Sequence, residues 1–261
     1  MYYKANGSVI AESCATSNWI AAGFNRIGTK LNDVFYSGAA ETLAGGDGDD
    51  TYHLWNGGAQ ITEIASAGID TVYTYFWGAI TLPDNVENLV VASVGLNNVT
   101  GNSSSNLIKL GVSGATVDAG AGDDVIVGGA GADVFRIGAG NGSDSIYNFT
   151  PGWDVVSLYG HSITSFDMLL SKASQVGTDV AIQLSPTEKL VLRGVQLDKL
   201  GAADFNLPIT TKIAVDSTTH LYKAQQAWNS NGWYVHNNVF NAAGLSRARI
   251  TPSRATSTSR T

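Results

Sequence analysis

The 261-residue chain holds one cysteine, two methionines and five prolines. A single thiol, Cys14, excludes an intrachain disulfide and any zinc site built on two or more cysteines. It reads as a small apolar residue, not as a nucleophile. Charged residues make up only 14% of the chain, against about 25% in ordinary globular domains. Cations are scarcer than anions, 15 Lys+Arg against 22 Asp+Glu, for a net charge of −7. That balance argues against nucleic acid, whose phosphates need a cationic surface. It is also uneven: residues 1–207 carry 9 basic and 21 acidic side chains, whereas residues 208–261 carry six basic ones and a single acid, Asp216. No apolar run reaches the ~18 residues of a membrane span. The opening MYYKANGSVIAESC lacks the basic and apolar regions of a cleavable secretory signal.

What is present is apolar bulk and glycine. Apolar residues at 44% can fill a core, and 30 glycines, above the usual share of about 7%, favour turns over long helices. The glycines cluster in a repeat. Residues 45–53 read GGDGDDTYH, 119–127 AGAGDDVIV and 128–136 GGAGADVFR. Each resembles the nonapeptide G-G-x-G-x-D-x-U-x of RTX proteins, in which U is apolar. The register extends beyond the glycines. Steps of nine back from Phe135 meet Ile126, Val117, Ile108, Val99 and Val90, and steps of nine back from Asp133 meet Asp124, Ala115, Asn106, Asn97 and Asn88. With slips, Asp33/Phe35, Asp50/Tyr52, Asp70/Val72 and Asp144/Ile146 repeat the pair, so the repeat spans about residues 28–158.

A nine-residue unit is a short extended piece followed by a turn, and one unit cannot cover its own apolar residue, so units must stack. Two units facing each other make one winding with both apolar columns inside. The expected fold is all-β: a right-handed parallel β-roll with windings ~4.8 Å apart. Residues 18 apart then form ladders, one through Asn88, Asn106, Asp124 and Asp144, the other through Asn97, Ala115, Asp133 and Asp154. Carboxylates stacked at that spacing repel by about 3–4 kcal/mol at an effective dielectric near 20. A Ca²⁺ ion, taking six to eight oxygen ligands, reverses the sign. The expected metal residues are therefore Gly45, Gly46, Gly48 and Asp50; Ala119, Gly120, Ala121, Gly122 and Asp124; Gly128, Gly129, Ala130, Gly131 and Asp133; and Asp144 and Asp154. The Asn-rich stretch 88–115 is expected to be poor in metal.

The chain thus resembles the RTX, or hemolysin-type calcium-binding repeat, family over roughly residues 28–207. GGDGDDTYHLWNGGAQITEIASAGIDTVY resembles a long repeat variant of secreted bacterial proteins. Residues 132–158 resemble the closing part of a serralysin-type C-terminal region, and 164–207 the helix, hairpin and acidic-aromatic ending of type I secreted proteins. The resemblance implies calcium as cofactor, the type I secretion apparatus as a partner during export, and a secreted, extracellular or cell-surface location. Periodicity agrees with a helix near 166–174 and strands near 179–184 and 188–193. Asn148, Ser157 and Trp55 stand where the family often has acids. The expected division is a lead-in over 1–27, the roll over 28–158, a cap and secretion region over 159–207, and a basic tail over 208–261 holding Trp228, Trp233, Tyr234, His220 and His236.

Catalytic motifs are missing. No H-E-x-x-H spacing joins His53, His161, His220 and His236, and neither a G-x-S-x-G elbow nor a P-loop occurs. The many acids leave room for a glycosidase carboxylate pair. Tyr73, Tyr75 and Trp77 alternate, and two readings stand: a packed edge of the roll, or a surface on which sugar rings of a polysaccharide stack. The first functional reading is a secreted calcium-binding β-roll without catalysis. The second is an accessory module of a secreted polysaccharide-active or other hydrolytic enzyme.

Overall fold

A computed structural model describes residues 26–208 apart from 39 and 96, together with the strand segments Tyr2–Tyr3, Val9–Ala11, Ala214–Val215 and Tyr222–Lys223. Cys14 and the aromatic and histidine residues named above in the basic tail lie outside the described residues.

The described chain winds as a parallel β-roll. Strands of two to five residues alternate between two faces, as expected of units in which only the residues around the apolar position are extended. The first face stacks Val34–Ser37, Thr51–Leu54, Thr71–Thr74, Asn88–Val91, Leu107–Lys109, Val125–Val127 and Asp144–Tyr147, all parallel. The opposite face is split into two sheets. One contains Arg26–Ile27, Thr42–Ala44 and Gln60–Thr62; the other contains Gly78–Thr81, Asn97–Thr100, Ala115–Asp118, Val134–Gly138 and Val155–Tyr159.

Between the faces lie the two apolar columns. Phe35, Tyr52, Val72, Leu89, Ile108, Ile126 and Ile146 are in register on one side, and Ile80, Val99, Val117, Phe135 and Val156 on the other. All are buried. Burying such a side chain contributes about 1.5–3 kcal/mol, and each is covered mainly by the windings above and below, so the roll is stable only as a stack.

The structure corrects the register at one winding. Leu89, not Val90, stacks on Ile108, and Glu87, not Asn88, occupies the ladder position. The steps are 17 residues from Asp70 to Glu87 and 19 from Glu87 to Asn106. Successive interior residues are eight apart from Val72 to Ile80, nine from Ile80 to Leu89 and ten from Leu89 to Val99, so the slip lies in the connection between the strands Asn88–Val91 and Asn97–Thr100. Leu89 therefore takes the interior, while Val90 stays half-buried.

Glycine is required where windings touch. Gly120 and Gly122 have φ 95° and 119°. A Cβ on Gly122 would stand 2.7 Å from the Ser104 carbonyl oxygen, and one on Gly120 would collide with the Asn102 carbonyl.

The C-terminal cap is a helix, Phe166–Lys172, with Ser165 as its N-cap, followed by the antiparallel strands Ala173–Val176, Asp179–Gln183 and Lys189–Leu192. Lys189–Leu192 pairs in parallel with Asp144–Tyr147, so the hairpin covers the open edge of the first sheet. At the other end, Arg26 and Glu41 form a buried, two-bonded ion pair at 2.9 and 2.7 Å, and the same guanidinium donates to the Tyr36 carbonyl.

Candidate metal centre

Each ladder side chain is positioned by the same two features. A turn brings the chain to the foot of a first-face or second-face strand, and the backbone N–H at that foot is aimed along the roll axis. The result is a chain of backbone-to-side-chain hydrogen bonds. On the first face the N–H of Asp33 donates to Asp50 Oδ1 (2.6 Å), that of Asp50 to Asp70 Oδ1 (2.8 Å) and that of Asp70 to Glu87 Oε2 (2.9 Å). Further on, Asn106 N–H donates to Asp124 Oδ1 (2.7 Å) and Asp124 N–H to Asp144 Oδ1 (3.1 Å). On the second face Ala115 N–H donates to Asp133 Oδ1 (2.8 Å) and Asp133 N–H to Asp154 Oδ1 (2.9 Å). Asp50, Asp70, Asp124, Asp133, Asp144 and Asp154 are all buried. One carboxylate oxygen per winding is thus engaged by the winding before it.

The second oxygen divides the ladder carboxylates into two kinds, and Asp33 on the first face is of the satisfied kind, its Oδ2 accepting from Thr29 N–H (2.6 Å). Asp133 Oδ2 accepts from Gly129 N–H (2.8 Å), and Asp154 Oδ2 from Thr150 N–H (2.7 Å). Both second-face carboxylates are therefore satisfied by backbone alone. On the first face, the Oδ2 atoms of Asp50, Asp70 and Asp124 are buried without a hydrogen-bond partner. A buried carboxylate oxygen left unpaired is costly. Among the described residues, no ion pair involves these ladder carboxylates; the pairs are Arg26–Glu41, Lys30–Asp47, Arg136–Asp118, Arg193–Asp179 and Lys199–Asp198.

The electrostatic consequence is large. Burial, reinforced by Glu63, Asp70 and Asp33, pushes the Asp50 carboxyl up to about 7, against the hydrogen bond from Asp33. Burial, with Asp144, Asp123 and Asp118 nearby, does the same for Asp124, and Asp144 rises to about 6. Burial also raises Glu63, Asp70 and Asp133. The donor set is oxygen only, which suits a hard cation of the calcium class.

The asparagines behave differently. Asn106 donates its amide to the Val86 carbonyl (3.1 Å), and Asn102 donates to the carbonyls of Pro83 (2.6 Å) and Val86 (2.8 Å). Asn97 donates to Ser93 Oγ (2.7 Å) and to the Gly95 carbonyl (2.8 Å). In this stretch an amide N–H₂ points at backbone carbonyls, the same oxygens that a cation would attract.

The remaining turn residues line the loops between these side chains. Gly128 N–H donates to the Tyr147 carbonyl and Ala121 N–H to the Asn102 carbonyl. Ala119 is buried, whereas Ala121 and Ala130 are exposed. Gly45 faces Asp50, Glu63 and Tyr52, while Gly46, Gly48 and Gly131 lie against the backbone of the preceding same-side loop. The sequence reading did not single out Glu63 or Glu87. Glu63 sits at a glycine position of the repeat, and Glu87 lies one residue outside the nine-residue register.

Tyr73 and Tyr75 lie in an aromatic stack on the outer side of the first face. Tyr36, His53 and Tyr73 succeed one another at 4.7 and 4.9 Å, and Trp55 stacks on Tyr75 at 4.9 Å. His53 Nδ1 and the Tyr75 hydroxyl are 2.9 Å apart. Trp77 lies past the end of this strand and is 77% exposed.

Two curated relatives are similar to this chain, endo-1,3-1,4-beta-glycanase EglC and endo-1,3-1,4-beta-glycanase ExsH, both of Rhizobium meliloti (strain 1021). EglC is 35% identical over 245 residues and ExsH 34% over 244, each match covering 89% of this chain and 52% of the relative. The chain therefore spans about half the length of the curated relatives it matches. No family model matches it. Among solved structures, the extracellular lipase LipA from Serratia marcescens gives a TM-score of 0.33 at 15% identity, over 73% of this chain and 40% of that one; so slight a likeness carries no weight here.

Proposed function

We propose that this chain is a calcium-binding β-roll module of a secreted, polysaccharide-active protein. It is exported through a type I secretion channel, folds outside the cell when Ca²⁺ becomes available, and has no catalysis of its own. The observation that carries the reading is the set of buried, unpartnered Oδ2 atoms of Asp50, Asp70 and Asp124. Asp50, Asp70, Asp124 and Asp144 are the side chains that would hold the ions, together with the glycine-rich loops 45–50 and 119–124. A bound Ca²⁺ supplies the positive charge that lets these carboxylates stay ionised between windings. Asp133 and Asp154 serve chiefly as acceptors for backbone N–H groups.

The order of export and folding follows from linkage. A ligand that binds only the folded chain withholds folding until it is present, and extracellular calcium modules commonly work at about 10⁻⁴–10⁻³ M. The polysaccharide part of the proposal is supported by the names of the two relatives and by the exposed aromatic side chains beside the roll.

The test is a calcium titration of the chelated chain at pH 8, followed by far-ultraviolet circular dichroism. A coil-like spectrum in EDTA that becomes β-rich at millimolar Ca²⁺, but not with Mg²⁺, is expected. A roll already complete after exhaustive chelation at that pH overturns the proposal.

A further inference from the structure

The nine-residue pattern accounts for Asp50 and Asp70 but not for Glu63. Residue 63 follows the strand Gln60–Thr62, and the pairing of Ala44 with Thr62 sets it level with Gly45, one winding earlier. The repeat has glycine there. Glu63 instead places a buried carboxylate against the 45–50 loop. Its Oε2 accepts from Gly46 N–H at 3.3 Å, and its Oε1 accepts the hydroxyl proton of Tyr52. One oxygen each of Asp50, Glu63 and Asp70 lie within 4.8 Å of one another. Of these residues, Asp50 and Asp70 are each 1% exposed and have an Oδ2 atom without a partner. The absence of a side chain at Gly45 makes the room, since a Cβ would collide with Asp50 Oδ2, Glu63 Oε1 and the Tyr52 hydroxyl.

Three carboxylates at this separation cannot all be ionised in a dry interior without a counter-charge. The donors are all oxygen, which disfavours zinc and copper and favours a hard divalent ion with flexible coordination. We infer that Asp50, Glu63 and Asp70 form an internal cation site of the calcium class. Its ligand set differs from that of the glycine-rich loops, with Glu63 contributed by the next winding and Tyr52 bonded directly to that ligand. The inference rests on the calcium reading above for the identity of the ion alone.

Tyr52 makes the site separately observable. Terbium(III) takes calcium's oxygen ligands and emits when a nearby phenol passes it energy. The full chain, refolded in calcium, is titrated with Tb³⁺ under tyrosine excitation, and bound calcium is counted by equilibrium dialysis. A saturable component of the sensitised emission should disappear in Tyr52→Phe, while that variant still folds with calcium. Glu63→Gln, which keeps the side-chain shape, should weaken this component's affinity about tenfold or more and lower the bound calcium by one ion per chain at limiting calcium. Unchanged emission in Tyr52→Phe, or unchanged calcium count and affinity in Glu63→Gln, overturns the inference; so does a wild type whose Tyr52 sensitises no bound terbium, the result expected if the cluster holds a proton instead. If Glu63→Gln does not fold, the Tyr52→Phe difference alone decides. Calcium-driven folding of the wild type that persists beside a negative result removes only this site, whereas its absence removes the broader proposal.

Discussion

The backbone N–H of Asp124 donates to Oδ1 of Asp144 at 3.1 Å, and Oδ2 of Asp124 is left buried with no partner. One carboxylate oxygen thus ties two windings together, and the other oxygen of its neighbour waits for a charge. This relationship, repeated along the first face, makes the roll's stability a function of protons and cations.

The pH dependence follows in sign. Asp50 and Asp124 rise to about 7 in the folded, metal-free chain, against about 3.9 when unfolded. The folded state therefore binds more protons between these values. The stabilisation is fully present below about pH 4 and is lost as the pH passes 7. In EDTA the chain should be more folded at pH 5 than at pH 8 by circular dichroism, and the calcium concentration at the folding midpoint should rise with pH, because protons no longer share in the stabilisation. Equal folding at both pH values in chelator contradicts the burial of ionisable ladder carboxylates.

Asp124→Asn and Asp133→Asn should differ in kind. Asp124→Asn removes a charge from an oxygen that the backbone does not use, so the calcium midpoint should rise several-fold with little loss at saturating calcium. Asp133→Asn sets an amide N–H₂ against the N–H of either Gly129 or Ala115. It should cost about 1–3 kcal/mol even at saturating calcium. Urea denaturation in 10-fold different calcium concentrations separates the two.

The Arg26–Glu41 pair should be a structural clamp on the first winding. Glu41→Ala leaves a buried guanidinium uncompensated and should cost about 3–5 kcal/mol, independent of calcium. A loss below 1 kcal/mol would mean that the first windings contribute nothing to the cooperative unit.

Gly122→Ala tests the stacking of turns. The residue has φ 119° and would bring its Cβ 2.7 Å from the Ser104 carbonyl oxygen. A loss of at least about 1–3 kcal/mol is expected, with a raised calcium requirement; a neutral effect would show that adjacent loops are not packed as described.

The aromatic surface predicts binding. If Tyr75 and Trp77 stack on sugar rings, retention on insoluble mixed-linkage β-glucan should drop several-fold in Tyr75→Ala/Trp77→Ala, at about 0.5–1.5 kcal/mol per ring. Retention that is unchanged in a variant still folded by circular dichroism would assign these rings to the packed edge of the roll.

The spacing of Phe135, Ile126, Val117, Ile108 and Val99 determined the roll by itself, because an apolar residue every nine positions can be buried only by stacking. In the cap, periodicity gave the helix and the strands Asp179–Gln183 and Lys189–Leu192, whereas Ala173–Val176, partly read as the end of the helix, is a third strand. What only the tertiary structure decided is local. A ten-residue step from Leu89 to Val99 shifted the register so that Glu87 and Leu89 entered the columns. Glu63 came back across a winding to meet Asp50 and Asp70, which no fixed spacing announces. The strand N–H groups, aimed along the axis, chose one oxygen of each carboxylate, and the presence or absence of an i−4 turn N–H left the other satisfied in Asp133 and orphaned in Asp124. Periodicity specifies which residues face inward; the fate of each polar atom depends on the neighbours that three-dimensional stacking supplies.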